Sequence, residues 1–216
     1  MITTDHSKSV AEHVASALLE IGAIKLSPEK PFKWASGWLS PIYCDNRMSL
    51  SYPKARTLIK DCLVDSIKKN FPGVEAIAGV ATAGIPQGAL IAEVLNLPFI
   101  YVRPKPKDHG MENLIEGKVT PGQKVVVIED LISTGGSSLK AVEALRDSKF
   151  EVLGMAAIFT YGFEIAAKNF TDSKVILHSL SNYQTLVQEA AKGNYIQEKD
   201  IESLNIWRQA PDQWGK

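Results

Sequence analysis

Two cysteines in 216 residues, Cys44 and Cys62, with no CxxC spacing, leave the chain without a disulfide framework. Two thiols suit a reducing compartment, and the sequence predicts a cytoplasmic protein. The four histidines, His6, His13, His109 and His178, are scattered, with no HExxH and no cysteine partners. No protein-ligated metal site is expected from them. No apolar run reaches the roughly 18 to 20 residues of a membrane helix. The opening MITTDHSKSV has no apolar stretch of the secretory kind, so no leader is expected. Neither sign of charge is in excess: Lys plus Arg and Asp plus Glu number 24 each. That balance offers no basic field for nucleic acid or an anionic membrane. Internal repeats, low-complexity tracts and an interdomain linker are also missing. The simplest reading is one domain over 1–216.

What is present is ordinary globular composition, 45% hydrophobic and 22% charged. Val10, Val14, Ala17, Leu18 and Ile21 recur at helical spacing, predicting a first helix that ends near Gly22. Residues 31–47, PFKWASGWLSPIYCDNR, predict two short strands around a turn, and Ser51 with Pro53 starts a helix. An alternation follows: EAIAGV (75–80) as a strand, ATAGIP as a loop, QGALIAEVL (87–95) as a helix, PFIYV (98–102) as a strand. VVVI (125–128) is a continuous apolar run of the kind buried on both faces of a sheet. EDLISTGG reads as a loop, SSLKAVEALRD as a helix, EVLGMAAIFTY and KVILHSL as strands, and the remainder as helical. Strand and helix in alternation predict an α/β fold with a parallel sheet between helices. Residues 103–123 are polar and aperiodic, a length of loop that compact domains keep for function.

The strongest chemistry lies in VVVIEDLISTGGSS, residues 125–138. A buried strand delivers Glu129 and Asp130 to the carboxyl edge of the sheet, where ligands of open α/β folds bind. The turn Ser133-Thr134-Gly135-Gly136-Ser137 then enters a helix, offering backbone N–H groups, hydroxyls and a helix dipole to an anion. Two carboxylates beside a phosphate cradle would repel the phosphate unless they contact something else. Ribose hydroxyls and a divalent metal are both suitable partners. The plainer alternative, a capped helix after a buried strand, accounts for the serines and glycines but not for both acids. No G-x-G-x-x-G occurs, and Gly79 and Gly84 have P-loop spacing but are followed by Ile85 and Pro86 in place of Lys and Ser or Thr. Arg103, Lys105, Lys107 and His109 concentrate positive charge at a strand end and into the aperiodic stretch. A cationic loop so placed is suited to closing over a polyanion, while a solvated surface loop is the plain alternative.

VVVIEDLISTGGSS resembles the phosphoribosyl diphosphate (PRPP) signature of type I phosphoribosyltransferases. SGWLSPIYCDNR (36–47) resembles the hood segment of orotate phosphoribosyltransferases, and YVRPKPKDHG with NLIEG (113–117) resembles their catalytic loop. The three segments stand in that family's order. The resemblance implies the type I fold with a small N-terminal hood: hood 1–50, core 51–180 and C-terminal helices 181–216. It implies PRPP and orotate as substrates, Mg²⁺ carried mainly by PRPP, and a homodimer with shared active sites. Arg103, Lys107 and His109 would act in catalysis and bind the pyrophosphate. Glu129 and Asp130 would hold the ribose hydroxyls, and Leu131, Ile132, Ser133, Thr134, Gly135, Gly136 and Ser137 would cradle the 5-phosphate. Ser133 and Tyr43 would meet the orotate. The sequence departs from some members at Ala35, Ala83 and Pro104, where they carry basic residues, and FTYGFE (159–164) lacks an arginine they place near orotate. The partner of the orotate carboxylate therefore stays unassigned, with the 36–47 segment as its expected source. A purine phosphoribosyltransferase would share the PRPP signature but not the hood. A PRPP-sensing regulator would be expected to add a DNA-binding module.

Overall fold

A computed structural model describes residues 8–34, 37–105 and 114–214. In chain order the first elements are α1 (Val10–Glu20), β1 (Ile24–Leu26), β2 (Phe32–Lys33), β3 (Leu39–Ser40), β4 (Ile42–Cys44) and α2 (Pro53–Asn70). Next come β5 (Ala76–Val80), α3 (Gly84–Leu95), β6 (Phe99–Val102), β7 (Ile115–Glu116), β8 (Lys124–Ile132) and α4 (Gly136–Asp147). The last are β9 (Glu151–Thr160), α5 (Glu164–Asp172), β10 (Leu177–Asn182), α6 (Tyr183–Lys192) and α7 (Asp200–Gln209). The chain forms two compact units, Thr57–Leu180 and Met1–Arg56 with Ser181–Lys216.

The unit Thr57–Leu180 is built on a sheet of order β10-β9-β8-β5-β6-β7. β5 pairs in parallel with β6 and with β8, and β8 in parallel with β9; β7 returns antiparallel to β6. Val125 to Ile128 are fully buried, as are Ala76, Ile77 and Ala78 beside them, so the centre of the sheet is covered on both faces. On one face Val125, Val127, Ala78 and Val80 pack with Leu139, Val142 and Leu145 of α4 and with Ala166 and Phe170 of α5. Burial of these apolar side chains contributes about 1.5–3 kcal/mol each before the entropy cost of ordering them.

In the other unit, β1 pairs antiparallel with β4 and β2 with β3. Ser9 caps α1 in a capping box, its Oγ accepting from Glu12 N while Glu12 Oε2 accepts from Ser9 N at 2.8 Å. α1 also meets α6 through Glu189, whose buried carboxylate accepts from Lys8 Nζ, from Ser16 Oγ at 2.8 Å and from Lys192 Nζ at 2.7 Å. Burial alone would raise the Glu189 pKa, but these donors outweigh it and bring it down to about 2.

The α/β class and the parallel arrangement follow the alternation of the sequence, and several boundaries differ. β8 runs on to Ile132, so Glu129 to Ile132 are strand where the sequence suggested loop, because β9 pairs with them through Glu129↔Ala157, Leu131↔Phe159 and Ile132↔Thr160. α3 begins at Gly84, ahead of the expected 87. Pro86 is tolerated there because a first-turn N–H has no intrahelical partner to lose. β1, β7 and α5 were not expected, residues 31–47 hold three short strands where two were expected, and the strand near 174–180 begins at Leu177.

Candidate functional site

The order β9-β8-β5-β6 sets a topological switch point between β8 and β5. From β5 the chain passes through α3 to β6 on one side; from β8 it passes through α4 to β9 on the other. Right-handed crossovers then send α3 and α4 to opposite faces, opening a crevice at the carboxyl ends of β5 and β8. Both helices start at that edge without a capping side chain. The first turn of α4 offers its amides to an anion and each helix dipole adds positive potential, while at α3 the Ile85 N–H is already taken by the Thr82 carbonyl at 3.3 Å.

Glycine is required where backbones close on one another. A Cβ on Gly84 would run into the Ile128 carbonyl, so only glycine lets α3 start against β8. Gly135 has φ 80°, the left-handed region, and ends the turn from which α4 departs. Asn169 of α5 steadies that turn, donating from Nδ2 to the Thr134 carbonyl at 3.0 Å. Gly136 and Ser137 are exposed, Ser133 and Thr134 half-buried. Ile132 is fully buried and its side chain belongs to the core.

The two acids have different surroundings. Glu129 is buried; its Oε2 accepts from Ser138 Oγ at 2.8 Å and its Oε1 from the Asp130 N–H at 3.0 Å. Burial, followed by the charge of Asp130, pushes the Glu129 carboxyl up to about 8, against the lowering effect of those two hydrogen bonds. Asp130 is half-buried. A proton-holding acid beside a more open carboxylate gives the crevice both a donor and an acceptor toward hydroxyls.

Arg103 follows β6, held by its N–H to the Leu114 carbonyl at 2.8 Å and by Glu116 Oε1, 3.6 Å from Nη1. Nη1 is buried and makes no hydrogen bond among the described residues. A cavity of about 720 Å³ brings Arg103 together with Ala81 after β5, Gly136 and Ser137 at the start of α4, and Lys140 one turn on. The start of α4 and the first cation of the basic segment thus line one space. Lys107 and His109 lie outside the described residues, as does Ser36. Tyr43 is in the other unit, on β4, with its ring 43% exposed.

Lys140, Ser138, Glu116 and Asn169 were not singled out by the sequence reading. Ser138 and Lys140 sit in a helix whose register relative to the strand is not written locally, and Glu116 and Asn169 act across the fold. Among the described residues no group of three or more His, Cys, Asp or Glu is placed to hold a metal ion, and no helix is long and apolar enough to cross a membrane.

Comparison with known proteins adds a family. The phosphoribosyl transferase domain family matches residues 48–192. An orotate phosphoribosyltransferase of Cytophaga hutchinsonii is 63% identical over 205 residues, covering 95% of this chain and 98% of its own. Among solved structures, orotate phosphoribosyltransferase from Aeropyrum pernix superposes with a TM-score of 0.74 at 30% identity, over 83% of this chain and 99% of its own. UMP synthase of Leishmania donovani gives a TM-score of 0.76 at 26% identity over 92% of this chain, which spans 42% of that longer protein.

Proposed function

This chain belongs to the orotate phosphoribosyltransferases, and from that premise we propose that it transfers the 5-phosphoribosyl group of PRPP to orotate. The products are orotidine 5'-phosphate and diphosphate, which places the reaction in pyrimidine nucleotide synthesis. The observation that carries the reading is the pair of uncapped helix starts, at Gly84 and Gly136, on either side of the β5–β8 switch point with Glu129 and Asp130 between them. PRPP has phosphate at both ends and hydroxyls in its middle, and this edge offers anion sites at two places and carboxyl groups at one.

In this reading the segment from Leu131, at the end of β8, through the turn to Ser137 takes the 5-phosphate, and Glu129 and Asp130 take the ribose hydroxyls. Arg103, Lys107 and His109 take the diphosphate. A ring nitrogen of orotate attacks C1 of the ribose as the bond from C1 to the diphosphate oxygen breaks, and the electron pair leaves with diphosphate. The protein's part is positioning and charge: cations along 103–109 meet the negative charge that grows on the leaving group. Ser133 and Tyr43 meet the orotate. Mg²⁺ carried by PRPP would supply further charge neutralisation, with the half-buried carboxylate of Asp130 as the hard oxygen donor this crevice would offer it. The same family resemblance carries a homodimer whose basic loop serves the neighbouring subunit. Two free thiols, Cys44 and Cys62, suit the cytoplasm.

The experiment is the loss of orotate ultraviolet absorbance on mixing protein, PRPP and Mg²⁺, with hypoxanthine and adenine as competing bases. A magnesium-dependent loss with release of diphosphate is expected. Consumption of a purine in place of orotate overturns the assignment of the base, and consumption of none, with PRPP still bound, overturns the transferase reading.

A further inference from the structure

The matched domain, 48–192, leaves a stretch of chain on each side, and both stretches belong to one compact unit. Here the C-terminal helix α7 grips the hood. Trp207 of α7 is fully buried and donates from Nε1 to the Leu39 carbonyl of β3 at 3.2 Å. Its ring meets Trp34 edge-on, with centroids 5.6 Å apart at 84°. Trp34 in turn donates from its own Nε1 to the Ile42 carbonyl at 3.1 Å. The two indoles therefore hold the carbonyls on either side of Ser40-Pro41. Ser40, fully buried, ties the turn internally: its Oγ donates to the Ile42 carbonyl at 2.8 Å and accepts from the Ile42 N–H at 3.2 Å. α7 is itself anchored by Tyr183, whose hydroxyl donates to the Leu204 carbonyl at 2.9 Å and whose ring lies 5.4 Å from that of Trp207.

The residue after this clamped turn is Tyr43. Ile42 is fully buried, so the alternation of a strand turns the neighbouring Tyr43 outward, and it is exposed, with Phe32 at 5.7 Å against one side. A tyrosine has only two side-chain torsions, so its direction is set largely by its backbone. That backbone is held by β1, where Lys25 pairs with Tyr43, and at the preceding turn by Trp34 directly and by Trp207 through Leu39 and Trp34.

We propose that Trp207 is a positioning residue for the base: it fixes the turn at Ser40-Pro41 and so aims Tyr43 at orotate. The inference rests on the reading above that the hood takes the base. It assigns to the C-terminal helix a share in base affinity and none in the handling of PRPP.

Trp207→Phe keeps an aromatic ring and removes the donor to Leu39. The expected result is a rise of about five- to tenfold in KM for orotate, with KM for PRPP and kcat within about twofold of the parent. Because a fully buried tryptophan is a risky place to substitute, Trp34→Phe at a half-buried site is the second variant, and the same split is expected. Circular dichroism and the unchanged KM for PRPP show that the measured enzyme is folded. Variants that lower the melting temperature but leave KM for orotate unchanged overturn the proposal, since that is the result of a structural role alone. So does a parallel rise in both KM values. A parent protein that does not consume orotate overturns the underlying assignment of the base instead, and this inference falls with it.

Discussion

Ser138, in the first turn of α4, donates from Oγ to Oε2 of Glu129 at 2.8 Å, tying that helix to the acid that precedes it on β8. The bond lowers the Glu129 pKa, yet burial and the charge of Asp130 prevail and hold it at about 8. The acid therefore keeps its proton at neutral pH in the folded protein and has lost it in the unfolded chain, whose carboxyl titrates near 4.5. Between those values the native state binds more protons, so stability falls as pH rises from about 4.5 to about 8.

Glu129→Gln removes that titration while keeping the shape and an acceptor for Ser138. Urea unfolding is expected to find the variant near parity with the parent at pH 4.5 and more stable by a few kcal/mol, on the order of 4 at the upper limit, by pH 8.5. A difference that does not change with pH places the Glu129 pKa back in the ordinary range.

Gly136 and Gly84 differ in what an added methyl would meet, and the contrast separates packing from ligand approach. At Gly136 the nearest atom to a new Cβ is Thr134 Oγ1 at 3.9 Å, so the protein itself has room. Gly136→Ala is expected to leave stability unchanged or raise it by about 0.5–1 kcal/mol, while KM for PRPP rises tenfold or more because the methyl occupies the phosphate's approach. At Gly84 the methyl meets the Ile128 carbonyl, which cannot yield as a side chain can. Gly84→Ala is expected to cost about 1–3 kcal/mol in denaturant unfolding. Unchanged KM for PRPP in Gly136→Ala removes that residue from the cradle.

Much of this site was legible before any coordinates. An apolar run followed by two acids and small residues announces a strand, a sheet edge and a tight turn into a helix, because each step depends on local chemistry. The exact reach of β8 was not legible. Acids usually end a strand, and only pairing with β9 carries this one on to Ile132. Gly84 and Pro86 read as breakers, while the fold uses one for close contact with Ile128 and tolerates the other in a first turn. β7 is two residues long, too short for any period to show, yet it supplies Glu116 to Arg103. The use of Trp207 depends on bringing together parts of the chain 168 residues apart, which no local pattern encodes.

Lys107 is proposed to meet the charge that develops on diphosphate, a contact stronger in the transition state than in the ground state. Lys107→Ala is therefore expected to reduce kcat by about 10² or more with little effect on the melting temperature. Arg103 stands differently, because its guanidinium already lies beside Glu116, with Nη1 3.6 Å from Oε1. Arg103→Ala is expected to lower both turnover and stability. A Lys107→Ala enzyme with parental kcat removes Lys107 from the mechanism.

Glu189 offers a second pH signature, of opposite sign and in the unit that carries the hood. Its carboxylate, with a side chain 2% exposed, is held by Lys8, Ser16 and Lys192, and these bring its pKa to about 2 from an ordinary 4.5. A depressed pKa means that the native state favours the ionised form. The contribution is fully present above about 4.5 and is lost as pH falls through about 2. Glu189→Gln is expected to cost about 1–3 kcal/mol at pH 7, with the difference from the parent shrinking steadily between pH 4.5 and 2. Salt is expected to recover only part of that loss, since Lys192 is 62% exposed and screened while Lys8, at 31%, is less so. Urea unfolding of both proteins at pH 7 and pH 3 makes the comparison. An equal difference at the two values means that the three donors act through shape and hydrogen bonding and not through the charge of Glu189.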